Sequence, residues 1–478
     1  MKIANRVLGC LLAGVMVTPP FVQSSAGAEA GPETPRRRDA LYVLHLFSND
    51  IATFTLDPTG RPAPTGDRIA TGTMPRGFVF TPDGGRVYTA NGGDGTISAY
   101  TVGEDGKLSP LGKPVSVKGQ GPFGIAIAPN GKTLYTANLD SGDVSSLSIN
   151  AYGIPEPIGK PILTGAPEPR TVSASADGRF VYVSHGRPAA GRADEMVVFS
   201  VQPGGGLKKT DLPPVSVGSG GNGSDITPDG RFIYVASTGS DAVYAFRIAP
   251  DGSLSPVQGS PFPTATFPED AAVTPDGRHL YVTSPNHDDT TTRNVTAFSI
   301  GRDGTLRTVP GSPFESGRAS VGITPSRDGR NLYVSNFESH DLASYNIGKA
   351  GVLDQIPGSP IPTGGDSPTF QGVAVPPNQG PRASFQSAVT DRTTRFNGTT
   401  SADPDGTIAR YDWTFGDGTS APNGGPTPTH TYQRPGNYKA TLTVTDDENC
   451  TTTLIYTGQT PLCTGSPAAR TTRTIIIK

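Results

Sequence analysis

Seven near-copies of one phrase run along the chain, and they constrain its fold more tightly than any other feature. Each copy joins a short apolar run, a Pro-Asp-Gly, Asn-Gly or Asp-Gly turn, and an aromatic-bearing run that ends in a polar residue. Six are continuous: GFVFTPDGGRVYTAN from Gly77, GIAIAPNGKTLYTAN from Gly124, TVSASADGRFVYVSH from Thr171, GSDITPDGRFIYVAS from Gly223, DAAVTPDGRHLYVTS from Asp270 and GITPSRDGRNLYVSN from Gly322. The seventh is split. GVAVPPN begins at Gly372, and ALYVLH at Ala40 to His45 supplies its missing half. A split of this kind closes an array into a ring.

The turn positions Asp83, Asn130, Asp177, Asp229, Asp276, Asp328 and Asn378 are 47, 47, 52, 47, 52 and 50 residues apart. A strand-only period of that size fits a propeller blade of four antiparallel strands. In the second unit GIAIAPN reads as the innermost strand, TLYTAN as the second, DVSSLSIN as the third and PILTG as the outermost. Asn130-Gly131 suits a tight hairpin, because both residue types tolerate positive φ. A single blade cannot bury its faces alone. The strand at Phe370 to Pro376 completes the three at Leu41–Leu46, Ile51–Leu56 and Asp67–Thr71. The expected architecture is all-β. A seven-bladed β-propeller over 40–378, closed by a blade shared between its ends, is followed by a join at 379–383 and a second domain over 384–478.

Gly (61) and Pro (47) exceed a fifth of the 478 residues, which suits many short strands and tight turns. Charge is near balanced, 39 Lys+Arg against 42 Asp+Glu, so no bulk attraction to nucleic acid is expected. Lys2 and Arg6, the apolar stretch Val7 to Val17 and Ala26-Gly27-Ala28 read as a signal peptide over 1–28, cleaved near Ala28. A leader over 29–39 follows. Beyond the signal only Cys450 and Cys463 remain, which in an exported chain reads as one disulfide. A secreted, extracellular monomer without a membrane anchor is expected.

The LYTAN, LYVSN and IYVAS strands with their TPDGR turns resemble the YVTN repeats of bacterial surface propellers. With the GSPF and GSPI segments at Gly259, Gly311 and Gly358, they are also similar to the seven-bladed lactonase family, which includes 6-phosphogluconolactonase-like proteins. The second domain resembles a PKD (polycystic kidney disease) domain. It carries Tyr411-Asp-Trp-Thr-Phe-Gly-Asp-Gly418, His430-Thr-Tyr432, Pro435-Gly436-Asn-Tyr438 and Leu442-Thr-Val-Thr-Asp446. That resemblance implies an immunoglobulin-like β-sandwich, with Trp413 as its core anchor.

Register alone lists two rings of side chains on one face of the propeller. Seven positions before each turn lie Arg76, Phe123, Arg170, Asn222, Glu269, Val321 and Gln371. Eight positions after lie Asn91, Asn138, His185, Ser237, Ser284 and Asn336, with His45 from the split copy. A polar-rimmed funnel is the default ligand site, with Asp270 beside Glu269. Arg76 and Arg170 could grip a carboxylate or phosphate, or pair with Glu269, Asp270 or Glu168. The Asn, Ser and His residues of the second ring could equally cap loose backbone groups.

The lactonase resemblance implies a Pro-Arg-His step, but here the steps read Pro75-Arg76-Gly77 and Pro169-Arg170-Thr171. The arginine is present in both and the histidine in neither. The expected function is therefore a non-catalytic module that binds a small molecule, protein or cell-surface polymer at the funnel. The alternative is a lactonase-like hydrolase using Arg76, Arg170 and His185 on a small carboxylated lactone. No cofactor is expected. Asp403, Asp405 and Asp446 could hold Ca²⁺ in the PKD-like domain, as in some relatives, or Asp403-Pro-Asp-Gly406 could be a simple Asx turn.

Overall fold

The computed structural model describes residues 39–186, 194–285 and 292–478. The expected signal peptide, most of the leader, His287 and most of the two longest interstrand loops lie outside those residues. Among the described residues there are only strands and two single turns of 3₁₀ helix, at Thr238–Ser240 and Pro467–Ala469.

Seven antiparallel sheets form the ring. Their inner strands are Pro75–Phe80, Pro122–Ile127, Pro169–Ala174, Gly221–Ile226, Asp270–Val273, Ser320–Pro325 and Pro368–Ala374, which define the first to seventh blades. Each inner strand lies against the next, and the last returns to the first. The seventh blade runs Pro62–Ala70, Asp50–Leu56, Ala40–His45, Pro368–Ala374, so the two ends of the array share one sheet as the split repeat predicted. Its outer strand is longer than Asp67–Thr71, because it continues past an irregularity in register to Pro62.

Two local expectations change. The outermost strand of the second blade is not PILTG alone: Pro155–Pro157 pairs with one end of the third strand and Ile162–Leu163 with the other. The Asn130-Gly131 turn is also wider than a two-residue hairpin. Its hydrogen bonds run from Gly131 N to the Ala128 carbonyl and from Ala128 N to the Thr133 carbonyl, and only Gly131 takes positive φ, at 69°. The loop geometry asks one left-handed residue of each repeat, and glycine supplies it.

The apolar residues of each repeat pack between blades, where Ala40, Tyr42, Leu44, Phe78, Phe80 and Val87 seal the seventh blade to the first. The repeat tyrosine has a second role. Hydroxyls of Tyr88, Tyr234, Tyr281 and Tyr333 donate to the carbonyls of Gly153, Gly304, Gly351 and Gly60, at 2.8–2.9 Å, each on an outer hairpin of the next blade. A buried hydroxyl needs an acceptor, and here it staples neighbouring blades.

The second domain is a sandwich. One sheet is Gln386–Thr390, Thr393–Asn397 and Thr429–Thr431; the other is Ser420–Ala421, Ile408–Thr414, Gly436–Asp446 and Arg470–Ile477. Trp413 is buried against Phe385 and Phe396, ring centroids 5.1 and 5.3 Å away, and its indole N–H donates to the Gly425 carbonyl at 2.9 Å. Cys450 and Cys463 form a disulfide around a two-stranded hairpin, Ile455–Tyr456 and Pro461–Cys463.

Candidate functional site

The funnel is built by one backbone device repeated around the ring. In the first, second, third and sixth blades the register slips by one residue at Arg76, Phe123, Arg170 and Val321. It also slips across Asn222–Gly223 and across the Gln371 region. A bulged residue leaves the ladder and its side chain is re-aimed. Before each inner strand the chain passes through a left-handed residue, at Met74, Gly121, Glu168, Gly220, Phe267, Ala319 and Ser367. Five of these seven are not glycine, so strained backbone gathers at the funnel mouth, as it tends to at ligand sites.

These bulges bring the first ring together. The Arg76 and Arg170 guanidinium carbons sit 4.9 and 5.5 Å from the centroid of one ring, that of Phe123. Phe123 in turn packs on Phe370, centroids 5.2 Å apart. Arg170 reaches Glu168 at 3.4 Å and the Asn222 side-chain oxygen at 3.3 Å, while its Nε is buried without a partner. The Arg76 side chain has a lowered pKa, first through burial and then through the charge of Arg170, against the opposing pull of Glu269 and Asp140. Two partly desolvated cations share an aromatic platform beside two carboxylates. Such an arrangement favours an anion with a flat or ring-shaped body.

Asp270 lies under this layer and is buried. It stands where five other repeats have glycine, and a Cβ on Gly223 would come within 2.5 Å of its Oδ1. Burial, and then neighbouring Glu269, push its pKa up to about 8 against the amides that hydrogen-bond it. Burial thus biases its carboxyl toward the protonated form. Val321 is a buried apolar wall, and Gln371 is half-buried with its Oε1 unpartnered.

The second ring behaves differently, because all seven members are buried and bonded locally. Asn91 donates to Thr96 and Ser98, Asn138 to Asp143 and Ser145, and Asn336 to Asp341. Ser237 and Ser284 donate to the carbonyls of Ser219 and Ala265. His45 Nδ1 meets Asp50 at 2.9 Å and His185 Nδ1 meets the Glu195 carbonyl at 2.8 Å. The His185 ring is 1% exposed and burial lowers its pKa, so it is a neutral strand-end cap in this geometry.

The Ca²⁺ expectation meets a mixed set of residues. Both Asp403 oxygens are buried, and burial and then the charges of Asp405, Asp446 and Asp447 push its pKa up to about 7, against the Asp405 amide. Asp405, however, pairs with Arg327 at 3.1 Å. Asp446 accepts from the amides of Glu448 and Cys450 and from Asn378. Among the described residues no three acidic, histidine or cysteine side chains converge as metal ligands. The trio does not fit a cation as placed.

Sequence reasoning missed a third component. The hairpin tip Tyr456–Thr460 enters the propeller's central channel from the end opposite the arginines. Amides of Ile127, Ala174 and Ile226 donate to the carbonyls of Gln459, Gly458 and Thr457, at 2.9, 2.8 and 2.7 Å, and Phe80 N meets Thr460 Oγ1 at 3.2 Å. These are the same position in the first four repeats. In the fifth, Val273 N donates instead to buried Asp225 at 2.7 Å, and in the sixth the position is Pro325, which has no N–H. Inner-strand amides that would face the channel are thus satisfied by the second domain. The signals in the sequence were Asp225, a carboxylate where the equivalent position of every other repeat is uncharged, and Pro325 in place of an amide.

Comparison with known proteins agrees with this fold. The family described as "Lactonase, 7-bladed beta-propeller" matches residues 48–171, 157–258 and 223–370, and "PKD domain" matches 376–457. A periplasmic gluconolactonase of Pseudomonas aeruginosa superposes with a TM-score of 0.60 at 21% identity, over 70% of this chain and 99% of that one. A candidate 6-phosphogluconolactonase of Bacteroides uniformis gives 0.60 at 22%, over 70% and 98%. These likenesses carry the fold. The collagenase ColA of Clostridium perfringens is 40% identical over 73 residues, which is 15% of this chain and only 6% of the collagenase.

Proposed function

The chain belongs to the seven-bladed β-propeller lactonase family and carries a PKD domain behind the ring, and from that premise we propose that it is a lactone-opening hydrolase acting in the funnel. Its substrate is a small lactone that bears a carboxylate or phosphate. The observation that carries this reading is the pair Arg76 and Arg170 around Phe123, with Glu269 at the same mouth. One guanidinium holds the anionic substituent. The other faces the lactone carbonyl oxygen, where negative charge develops as water adds to the carbonyl carbon. Glu269 accepts the proton from that water. The ring C–O bond then breaks and the departing alkoxide takes that proton back from Glu269, which gives the hydroxy acid and restores the carboxylate. His185 takes no part, because its ring is closed off in its own blade.

Steady-state hydrolysis of 6-phosphogluconolactone and glucono-1,5-lactone tests this. Wild type is expected to exceed background, and Arg170→Ala and Glu269→Gln to lower kcat/KM by about 10²-fold or more. A second reading, a binding module for small anions, is favoured by the missing histidine and by both funnel histidines being buried. It prevails if the lactones bind but none is opened. The disulfide and the PKD domain support a place outside the cytoplasm for either activity.

A further inference from the structure

We infer that the disulfide-closed hairpin of the PKD domain is the floor of the propeller's ligand site, and that Gln459 is its specificity-determining side chain; this rests on the funnel being the site proposed above. The channel of a ring is open at both ends, so its depth must be set by something that blocks it. Here four consecutive hairpin residues, 457–460, bond to the ends of four consecutive inner strands. Tyr456 is fully buried among residues of the second and third blades, with its hydroxyl 2.6 Å from the Ile127 carbonyl and 2.7 Å from that of Gly458. The tip carbon of Gly458 packs on Ser173, where a Cβ would come within 3.1 Å.

Gln459 stands above this seal. Its side-chain amide donates to Ser173 Oγ at 2.8 Å and to the Ser224 carbonyl, and the residue stays half-buried. Ser173 and Ser224 hydroxyls are 2.8 Å apart, and Ser224 and Thr171 hydroxyls 3.2 Å, so a line of hydroxyls climbs from Gln459 to the residue next to Arg170. Ser173 is three residues below Arg170, about 10 Å at strand rise, and Ser224 two below Asn222, about 7 Å. The hydroxyls themselves are buried, so the half-buried Gln459 amide is the polar group they hold at the bottom of the channel, and an amide at that depth below the rim cations suits a single polyhydroxy acid or its phosphate. The propeller without the hairpin is an incomplete site.

The test is calorimetric binding of 6-phosphogluconate and gluconate, open-chain acids that cannot be ring-opened, to the full chain. Variants are Gln459→Ala, a replacement of 455–461 by Gly-Ser-Gly that keeps both cysteines, and Thr452→Ala as an exposed hairpin control. Expected are a roughly tenfold loss for Gln459→Ala, a larger loss for the replacement and no change for the control. If wild type binds and both hairpin variants bind within twofold of it, the floor is overturned and the funnel reading stands. If wild type binds neither acid, the ligand reading falls and a Ser173→Cys chain decides the floor. A small cationic methanethiosulfonate should label that thiol at least tenfold faster when the hairpin is replaced, and equal rates overturn the proposal.

Discussion

At the scale of single residues, the informative positions are those where one repeat breaks the pattern of the others. Asp270 replaces a glycine and enters the ring's interior as a carboxyl group with a pKa of about 8, well above its unfolded value. A raised acid contributes its full stability below the unfolded value near pH 4, and that contribution is lost as pH climbs through about 8. Asp270→Asn keeps the neutral form at every pH. Thermal melts should therefore show the variant gaining roughly a few degrees on wild type at pH 8, with the gap closing at pH 4. An equal gap at both pH values would mean that the Asp270 carboxyl titrates alike in the folded and unfolded chain. The rim arginines and the buried histidines were visible in the sequence as positions, but not as roles. Repeat register places a side chain on a face; it does not say whether a neighbouring carbonyl already occupies it, as Glu195 does for His185.

At the scale of elements, the repeat tyrosines separate packing from hydrogen bonding. Tyr281 donates to Gly351 across a blade boundary, whereas the equivalent Tyr182 hydroxyl is buried without a partner. Tyr281→Phe should cost about 1 kcal/mol, because it strands a buried carbonyl. Tyr182→Phe should be neutral or stabilising, because it removes an unsatisfied group. Urea midpoints of the two variants measure the difference, and matching midpoints would refute it. The strands, their order and the shared blade were all legible, because hydrophobic alternation and glycine turns are local properties that repeat. The hairpin at 450–463 was legible only as a disulfide loop. Nothing in Thr457 to Thr460 has a pattern that names its partners, since backbone carbonyls do the docking.

At the scale of the whole molecule, ring and sandwich are joined by more than a linker. Arg327 is buried and holds both Asp405 at 3.1 Å and Glu448 at 2.9 Å, across the two domains. It stands in a Ser-Arg-Asp-Gly turn where five other repeats have proline, a departure that the sequence displayed but did not explain. Arg327→Met would leave two half-buried carboxylates without their cation, a change that typically costs about 3–5 kcal/mol. Burial, opposed by Arg327, already pushes Glu448 up to about 8. Losing the arginine raises it further, so the variant's deficit should be largest above pH 8 and smallest near pH 5, read by calorimetric unfolding. A deficit that does not change with pH would assign Arg327 a packing role alone.

The seventh blade also fixes an order in time. A chain made from its N-terminus presents Ala40–His45 first, with Leu41, Val43 and Leu44 fully buried in the finished ring but still lacking the strand at 368–374. More than three hundred residues must be synthesised before that edge is covered, and the hairpin that seals the channel is made later still. The earliest strands of the propeller are therefore the last to find their lasting neighbour, and through most of the chain's synthesis its stickiest surface is its oldest.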